Sequence, residues 1–434
     1  MSETQQAHQL VVVGGGIAGL EIATVLARRR RRRDPPLDIT LVDRDTAHIW
    51  KPMLHTVAAG TRELALQQTP YLAQARAAGF SYQFGEFAGL KRSLGMLRLA
   101  PQSTPQGQPL LPERWLRYDT LVLAVGSRAN DFGTPGATEH CQRIDSNQQA
   151  EAFHQALRTH ILYALAHNQP LTVGIVGGGA TGVELAAELV HLAQAAVAYG
   201  VQELRTSLRI VLIESGPRLL AAFPQDISDA TRARLQSLGV EVRTGARVGA
   251  VDADGFTLAS GERIAAALKV WAAGVKAPDC LAGLDGLETN GQHQLRVQPS
   301  LQTTLDPNIY ALGDCASLCG ADGRPLPPTA QVAHQQAQHL IRHLPGALRW
   351  NEPVPDFRSR DMGSLVSLGA YDAFASLGKF GLFQGLTLRG RLAQLSHVLL
   401  YRSHQARLHG FWRGGLLWLL DGLHARLVGP IRLG

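Results

Sequence analysis

Short apolar runs recur along the chain, and each ends at a glycine turn followed by residues of helical period. The first is LVVV, which stops at Gly14 and leads into IAGLEIATVLARR, after which DITLV runs up to Asp43. Residues 10–43 therefore predict one strand–helix–strand unit. A second unit opens with VGIV before Gly177, continues through ATGVELAAEL and closes with LRIVLI before Glu214. TLVLAVGSRAND (120–131), LKVWAAGVKAP (268–278) and NIYALGDCASL (308–318) are apolar at consecutive positions, as strands buried on both faces are. Residues 148–168 predict a helix entering the second unit. LPPTAQVAHQQAQHLIRHL predicts another, begun by its prolines.

This order predicts an α/β chain with two Rossmann-like dinucleotide-binding domains, the second inserted into the first. The expected boundaries are 1–168, 169–287 and 288–344, with residues 295–344 returning to complete the first domain. Three prolines in 345–355 read as a linker to a separate C-terminal unit, 345–434. In that unit Trp412, Leu416, Leu419, Leu420, Leu423 and Leu427 share one helical stripe. Such a stripe packs into a core or, with Phe411, Trp418 and excess arginine beside it, lies in a membrane interface.

The two glycine turns carry the chemistry. Gly14, Gly16 and Gly19 form G-x-G-x-x-G in the first, and Gly177, Gly179 and Gly182 in the second. Glycine permits the tight turn, the approach of backbone N–H groups to a pyrophosphate, and close helix–strand packing. A carboxylate at the end of the next strand accepts hydrogen bonds from ribose hydroxyls: Asp43 follows the first turn at close to the usual spacing, and Glu214 follows the second at a longer one. Either carboxylate repels a 2′-phosphate, which favours NADH over NADPH; Arg218 nearby is a solvated loop residue or a weakener of that preference. Glu184, in the first turn of its helix, reads equally as a helix-dipole partner or as a group near the nicotinamide. Gln331 and Gln335 are one helical turn apart and can face one ligand or simply solvent.

Size, charge and cysteine use narrow the class. A chain of 434 residues with 45% hydrophobic content holds two or three domains. Four cysteines, Cys141, Cys280, Cys315 and Cys319, suit a reducing compartment, and no close pair follows the first turn, so neither a redox disulfide nor a metal site is expected. No leader is read at the N-terminus, and no apolar run reaches the ~18 residues that span a bilayer. The net charge is +7, and residues 356–434 hold ten basic against four acidic residues. Arg28–Arg33 end the first helix, where cations suit the dipole; contact with lipid or nucleic acid is the other reading of this cluster, though no nucleic-acid partner is expected of the chain.

With these motifs in place the chain resembles the type II NADH dehydrogenases, single-subunit flavoproteins that pass electrons from NADH to membrane quinone without pumping protons. The similarity runs through LVDRDTAHIWKPMLHTVAAG, YDTLVLAVGSRANDFGTPGATEHC, VWAAGVKAP, NIYALGDCASL, LPPTAQVAHQQA, FRSRDMGSLVSLG and GRLAQLSHVLLYRSHQARLHG. The resemblance implies FAD on Gly14, Gly16, Gly19 and Asp43, with Lys51, Gly126, Gly313 and Asp314 along the flavin and its ribityl–pyrophosphate chain. It implies NADH on Gly177, Gly179, Gly182, Glu214 and Gly274, with Glu184 near the nicotinamide. Gln331 and Gln335 are placed at the quinone; His334 beside them reads as a proton relay or as a histidine satisfied locally. It further implies a peripheral protein on the cytoplasmic face of a bacterial inner membrane, bound through the C-terminal unit to an anionic surface; oligomeric state stays open, a homodimer included. The alternatives are a sulfide:quinone oxidoreductase, which needs sulfur-handling cysteines at the flavin, a nucleotide-binding redox sensor or scaffold, and a soluble ferredoxin- or thioredoxin-type reductase.

Overall fold

The computed structural model describes residues 7–29, 36–62, 68–104, 106–198, 201–320, 322–368, 373–377 and 387–427. The chain divides into two compact units, one of Met1–Trp50, Gln68–Arg128 and Val275–Arg360, the other of Lys51–Gln67, Ala129–Gly274 and Asp361–Gly434. These cut points differ from the expected ones. Residues 129–168 fall in the second unit, because the helix Asn147–Ala166 packs on Leu54–Ala59 and on the second sheet. The tail from Asp361 also groups with the second unit instead of standing alone.

In the first unit, the strand His8–Val13 pairs in parallel with Leu37–Asp43 on one side and Thr120–Leu123 on the other. Ser81–Phe84 extends the sheet at one edge, and Asp306–Ala311, followed by Gln302–Thr303, extends it at the other. Leu10, Val12, Leu41, Leu121, Val122 and Leu123 are fully buried, as expected for strands covered on both faces. The helix Ile17–Arg29 buries Leu20, Ile22 and Ala23 and packs on the helix Ala330–Trp350. Arg28 and Arg29 end it exposed, whereas Arg30–Arg33 lie outside the described residues.

Two local features differ from the expected ones. Pro327 and Pro328 precede the helix rather than begin it; Thr329 is the N-cap, its Oγ1 accepting from the Val332 N–H at 3.3 Å. The same helix runs through Pro345 to Trp350 and ends on Asn351 at φ +54°, so no linker begins at residue 345. Buried Leu340, Ile341 and Leu344 keep the apolar stripe in place up to the proline.

In the second unit, four parallel strands stand in the order Glu241–Arg243, Leu208–Ile213, Leu171–Val176, Leu268–Trp271. The helix Ala180–Ala198 is long, and Leu204–Ser207 adds a short turn of helix before the next strand, which accounts for the wide spacing to Glu214. Gly363–Ser367, Ala373–Leu377 and Thr387–Arg389 form an antiparallel sheet, on which the helix Arg391–His409 packs. Phe411–Leu427 follows as a last helix. Trp412 is 85% exposed, and Leu416, Trp418, Leu419, Leu420 and Leu423 are exposed beside it. Of the two readings of the stripe, core packing is therefore excluded for these residues; the side chains of Phe411 and Leu427 lie outside the described set. No described helix is long and apolar enough to cross a membrane.

Candidate functional site

Each glycine turn sits where the chain leaves one strand for neighbours on both sides, the crevice at the strand ends where α/β sheets bind ligands. In the first unit, a Cβ on Gly14 would lie 2.3 Å from the Ala124 carbonyl oxygen, and one on Gly19 would lie 1.9 Å from that of Gly14. Nothing stands within 4 Å of a Cβ on Gly16. The outer glycines are thus fixed by close backbone approach, and the middle one borders open space suited to a pyrophosphate. The second unit repeats this: a Cβ on Gly177 would lie 2.6 Å from the Ala272 carbonyl oxygen, one on Gly182 would lie 2.0 Å from that of Gly177, and Gly179 borders open space.

The carboxylates lock onto the turns. Asp43 accepts the Gly15 N–H at 2.5 Å and the Asp45 N–H at 2.8 Å. Burial pushes its carboxyl up to about 6 against the pull of those two N–H groups. Glu214 accepts the Gly178 N–H through one oxygen and the Gly216 N–H through the other, both at 2.6 Å. Arg218 turns its terminal nitrogens onto the Phe223 and Ala221 carbonyls at 2.8 and 2.7 Å, a backbone-bonded loop residue.

Around the first turn, the Gly15 carbonyl accepts from the Tyr71 hydroxyl and from His48 Nδ1, both at 2.9 Å. Neither residue is singled out by the sequence, because a buried tyrosine and a buried histidine in unremarkable contexts carry no motif. Gly126 and Gly313 take left-handed φ values of +69° and +71°. Asp314 accepts from Ser127 Oγ at 2.6 Å, and the Gly313 N–H donates to Gln336 Oε1 at 2.7 Å. Lys51 stands in the second unit, 3.9 Å from Asp145, so the structure does not group it with the other first-turn residues.

Glu184 is buried on the first turns of its helix, accepting the Ser367 N–H at 3.0 Å with His55 Nδ1 at 3.4 Å from its other oxygen. Burial raises its carboxyl to about 8, so it holds a proton at neutral pH. Glu188, one turn on, is also buried, but His191, His55 and the Thr61 hydroxyl at 2.7 Å outweigh that burial and keep it below the usual carboxylate range. One carboxyl is thus neutral and its neighbour ionised.

On the helix Ala330–Trp350 the two predicted glutamines part company. Gln335 donates to the Arg360 carbonyl at 2.8 Å and accepts the Arg360 N–H at 2.9 Å, so its amide clamps the returning chain. Gln331 makes no such bond among the described residues. His334 Nδ1 lies 2.7 Å from Glu21, a fully buried carboxylate that Gln338 also bonds at 2.5 Å.

Comparison with known proteins places this geometry. Residues 8–337 match the pyridine nucleotide-disulphide oxidoreductase family model. The chain is 38% identical to the type II NADH:quinone oxidoreductase of Haemophilus influenzae, over 98% of this chain and 99% of that one. The chain belongs to the type II NADH:quinone oxidoreductases. It is also 29% identical to the enzyme Ndh of Mycobacterium tuberculosis, over 86% of this chain and 80% of that protein. Among solved structures, NDH2 of Plasmodium falciparum in complex with NADH superposes with a TM-score of 0.82 at 19% identity, covering 98% and 99% of the two chains. The sulfide:quinone oxidoreductase of Aquifex aeolicus superposes with 0.71 at 18%, covering 97% and 96%. Likeness at these identities shows a shared fold, so the choice within the type II fold class rests on the sequence relationship.

Proposed function

We propose that this chain is an FAD-dependent enzyme that moves electrons from NADH through the flavin to a membrane quinone without pumping protons. The observation that carries this is the full-length relationship to a type II NADH:quinone oxidoreductase, in a chain that keeps two complete turn-and-carboxylate sites. The residues fit both dinucleotides: the open space beside Gly16 and Gly179 leaves room for a pyrophosphate, and each strand-end carboxylate is already oriented by a backbone N–H. In this reading Gly14, Gly16, Gly19, Asp43, Gly126, Gly313 and Asp314 hold FAD. Gly177, Gly179, Gly182, Glu214 and Gly274 hold NADH. Bound FAD supplies hydride acceptance and electron transfer, which side chains cannot.

The protein's own part is position and proton placement. Glu184 presents a neutral carboxyl at the head of the NADH-side helix, and Gln331 is the glutamine with its amide left for quinone. Lys51 keeps its family role only as part of this proposal. The exposed Trp412–Leu423 face binds a lipid surface, where the quinone dissolves; the cytoplasmic side belongs to the same reading, since NADH is a cytoplasmic reductant. A sulfide-oxidising enzyme is disfavoured: the four cysteines are free, and burial pushes the Cys141 and Cys315 thiols to about 12, far from a reactive thiolate. The test is spectroscopic. The purified protein should show bound-flavin absorbance that bleaches on anaerobic addition of NADH and returns on addition of a quinone analogue; a flavin that NADH leaves oxidised contradicts the reading.

A further inference from the structure

Beside the second glycine turn stands Phe132, an aromatic residue with a strained backbone. Its backbone sits at φ +52°, a left-handed conformation that costs a residue with a Cβ, and its ring is 62% exposed. A lone exposed phenylalanine is ordinary. This one sits in a loop that several hydrogen bonds hold. Its N–H donates to Asn130 Oδ1 at 3.0 Å, and the Gly133 N–H donates to Asp131 Oδ1 at 3.2 Å. Asp131 is fixed in turn by Arg143 at 3.0 Å and the Thr138 hydroxyl at 2.7 Å. The loop is tied to the end of the Leu268–Trp271 strand by the Trp271 indole, which donates to the Asn130 carbonyl at 2.8 Å, and by the Asn130 N–H, which donates to Gly274 O at 3.3 Å.

The ring lies against Gly274: a Cβ there would be 2.5 Å from Phe132 Cζ. Gly274 therefore has two reasons to be glycine, its own φ of +61° and the seat it gives this ring. Sheet order says which part of a dinucleotide would reach it. Glu214, the ribose reader, ends the strand on one side of Leu171–Val176, and Gly274 follows the strand on the other side. A dinucleotide with its adenosine on Glu214 and its pyrophosphate at Gly177–Gly179 extends across the sheet end toward Gly274 and Phe132.

We propose that the Phe132 ring is a binding surface for the nicotinamide nucleoside half of NADH. It offers a flat apolar face to a planar heteroaromatic ring, and the loop's fixed strain keeps that face presented before the ligand arrives. The inference rests on the NADH reading of this unit.

Titration of the flavin-loaded protein with NAD+ and with ADP-ribose, which lacks the nicotinamide, tests it. Phe132→Gly removes the ring and relieves the left-handed strain, so the chain folds without penalty at that position. It should weaken NAD+ binding by roughly fivefold to tenfold and leave ADP-ribose within about twofold, while Phe132→Tyr should bind both as the parent does. If Phe132→Gly weakens both ligands equally, or neither, the assignment is overturned while the NADH reading stands. If the parent binds neither ligand, the NADH reading fails and takes this inference with it.

Discussion

The Glu214 carboxylate accepts the Gly178 N–H at 2.6 Å, and through its other oxygen the Gly216 N–H at the same distance. Asp43 likewise accepts the Gly15 N–H in the first unit, so in both sites the residue between the first two motif glycines aims the carboxylate. Two backbone N–H bonds hold the Glu214 carboxylate in place beside the turn. Glu214→Gln removes that carboxylate, and the ratio of kcat/KM for NADPH over NADH should rise by about tenfold. Unchanged selectivity in steady-state assays would show that Glu214 does not read the ribose.

Burial raises the Glu184 carboxyl to about 8 from an ordinary value of 4.5. The native chain therefore keeps a proton that the unfolded chain releases over this interval. Its stabilising effect is complete below the unfolded value and declines as pH rises toward 8. Thermal melts of the flavin-loaded protein should show Tm falling between about pH 5 and about pH 8, and Glu184→Gln should flatten that slope. Parallel slopes for the two proteins would mean that Glu184 is ionised throughout.

The two glutamines should separate by readout. Gln335→Ala breaks a reciprocal pair of bonds to Arg360 and should lower stability by about 1–2 kcal/mol, visible as a lower urea midpoint. Gln331→Ala should leave stability within about 0.5 kcal/mol and slow flavin reoxidation by quinone more than flavin reduction by NADH. Stopped-flow traces in which both half-reactions slow equally would remove Gln331 from the quinone site.

Lipid binding should follow the last helix. Replacing Trp412, Leu416 and Leu419 together by serine takes large apolar groups from an exposed face and should abolish sedimentation with anionic liposomes. The folded second unit contains residues from Asp361 onward, so surface substitution is a cleaner test than truncation. Full retention on liposomes would contradict the lipid contact.

Both turns and their carboxylates were legible because glycine spacing and apolar runs are local signals, and close backbone approach at Gly14 and Gly19 enforces them. The stripe from Trp412 to Leu427 was visible as a periodicity, but only exposure ruled out core packing for its described residues. What the sequence hid was long-range. Arg360 lies twenty-five positions from Gln335, and nothing in either segment announces their pairing. His48 and Tyr71 meet on the Gly15 carbonyl only after the chain folds back. Pro345 misled for a different reason, since proline's local preference was overridden by a helix already fixed by its buried stripe.

The central claim is electron transfer from NADH to quinone. Steady-state NADH oxidation by the flavin-loaded protein, with a water-soluble quinone analogue and with sulfide as the competing donor, tests it most directly. NADH consumption should depend on quinone and yield one quinol per NADH, and sulfide should reduce no quinone. NADH oxidation that ignores added quinone, or quinone reduction driven by sulfide, would contradict it.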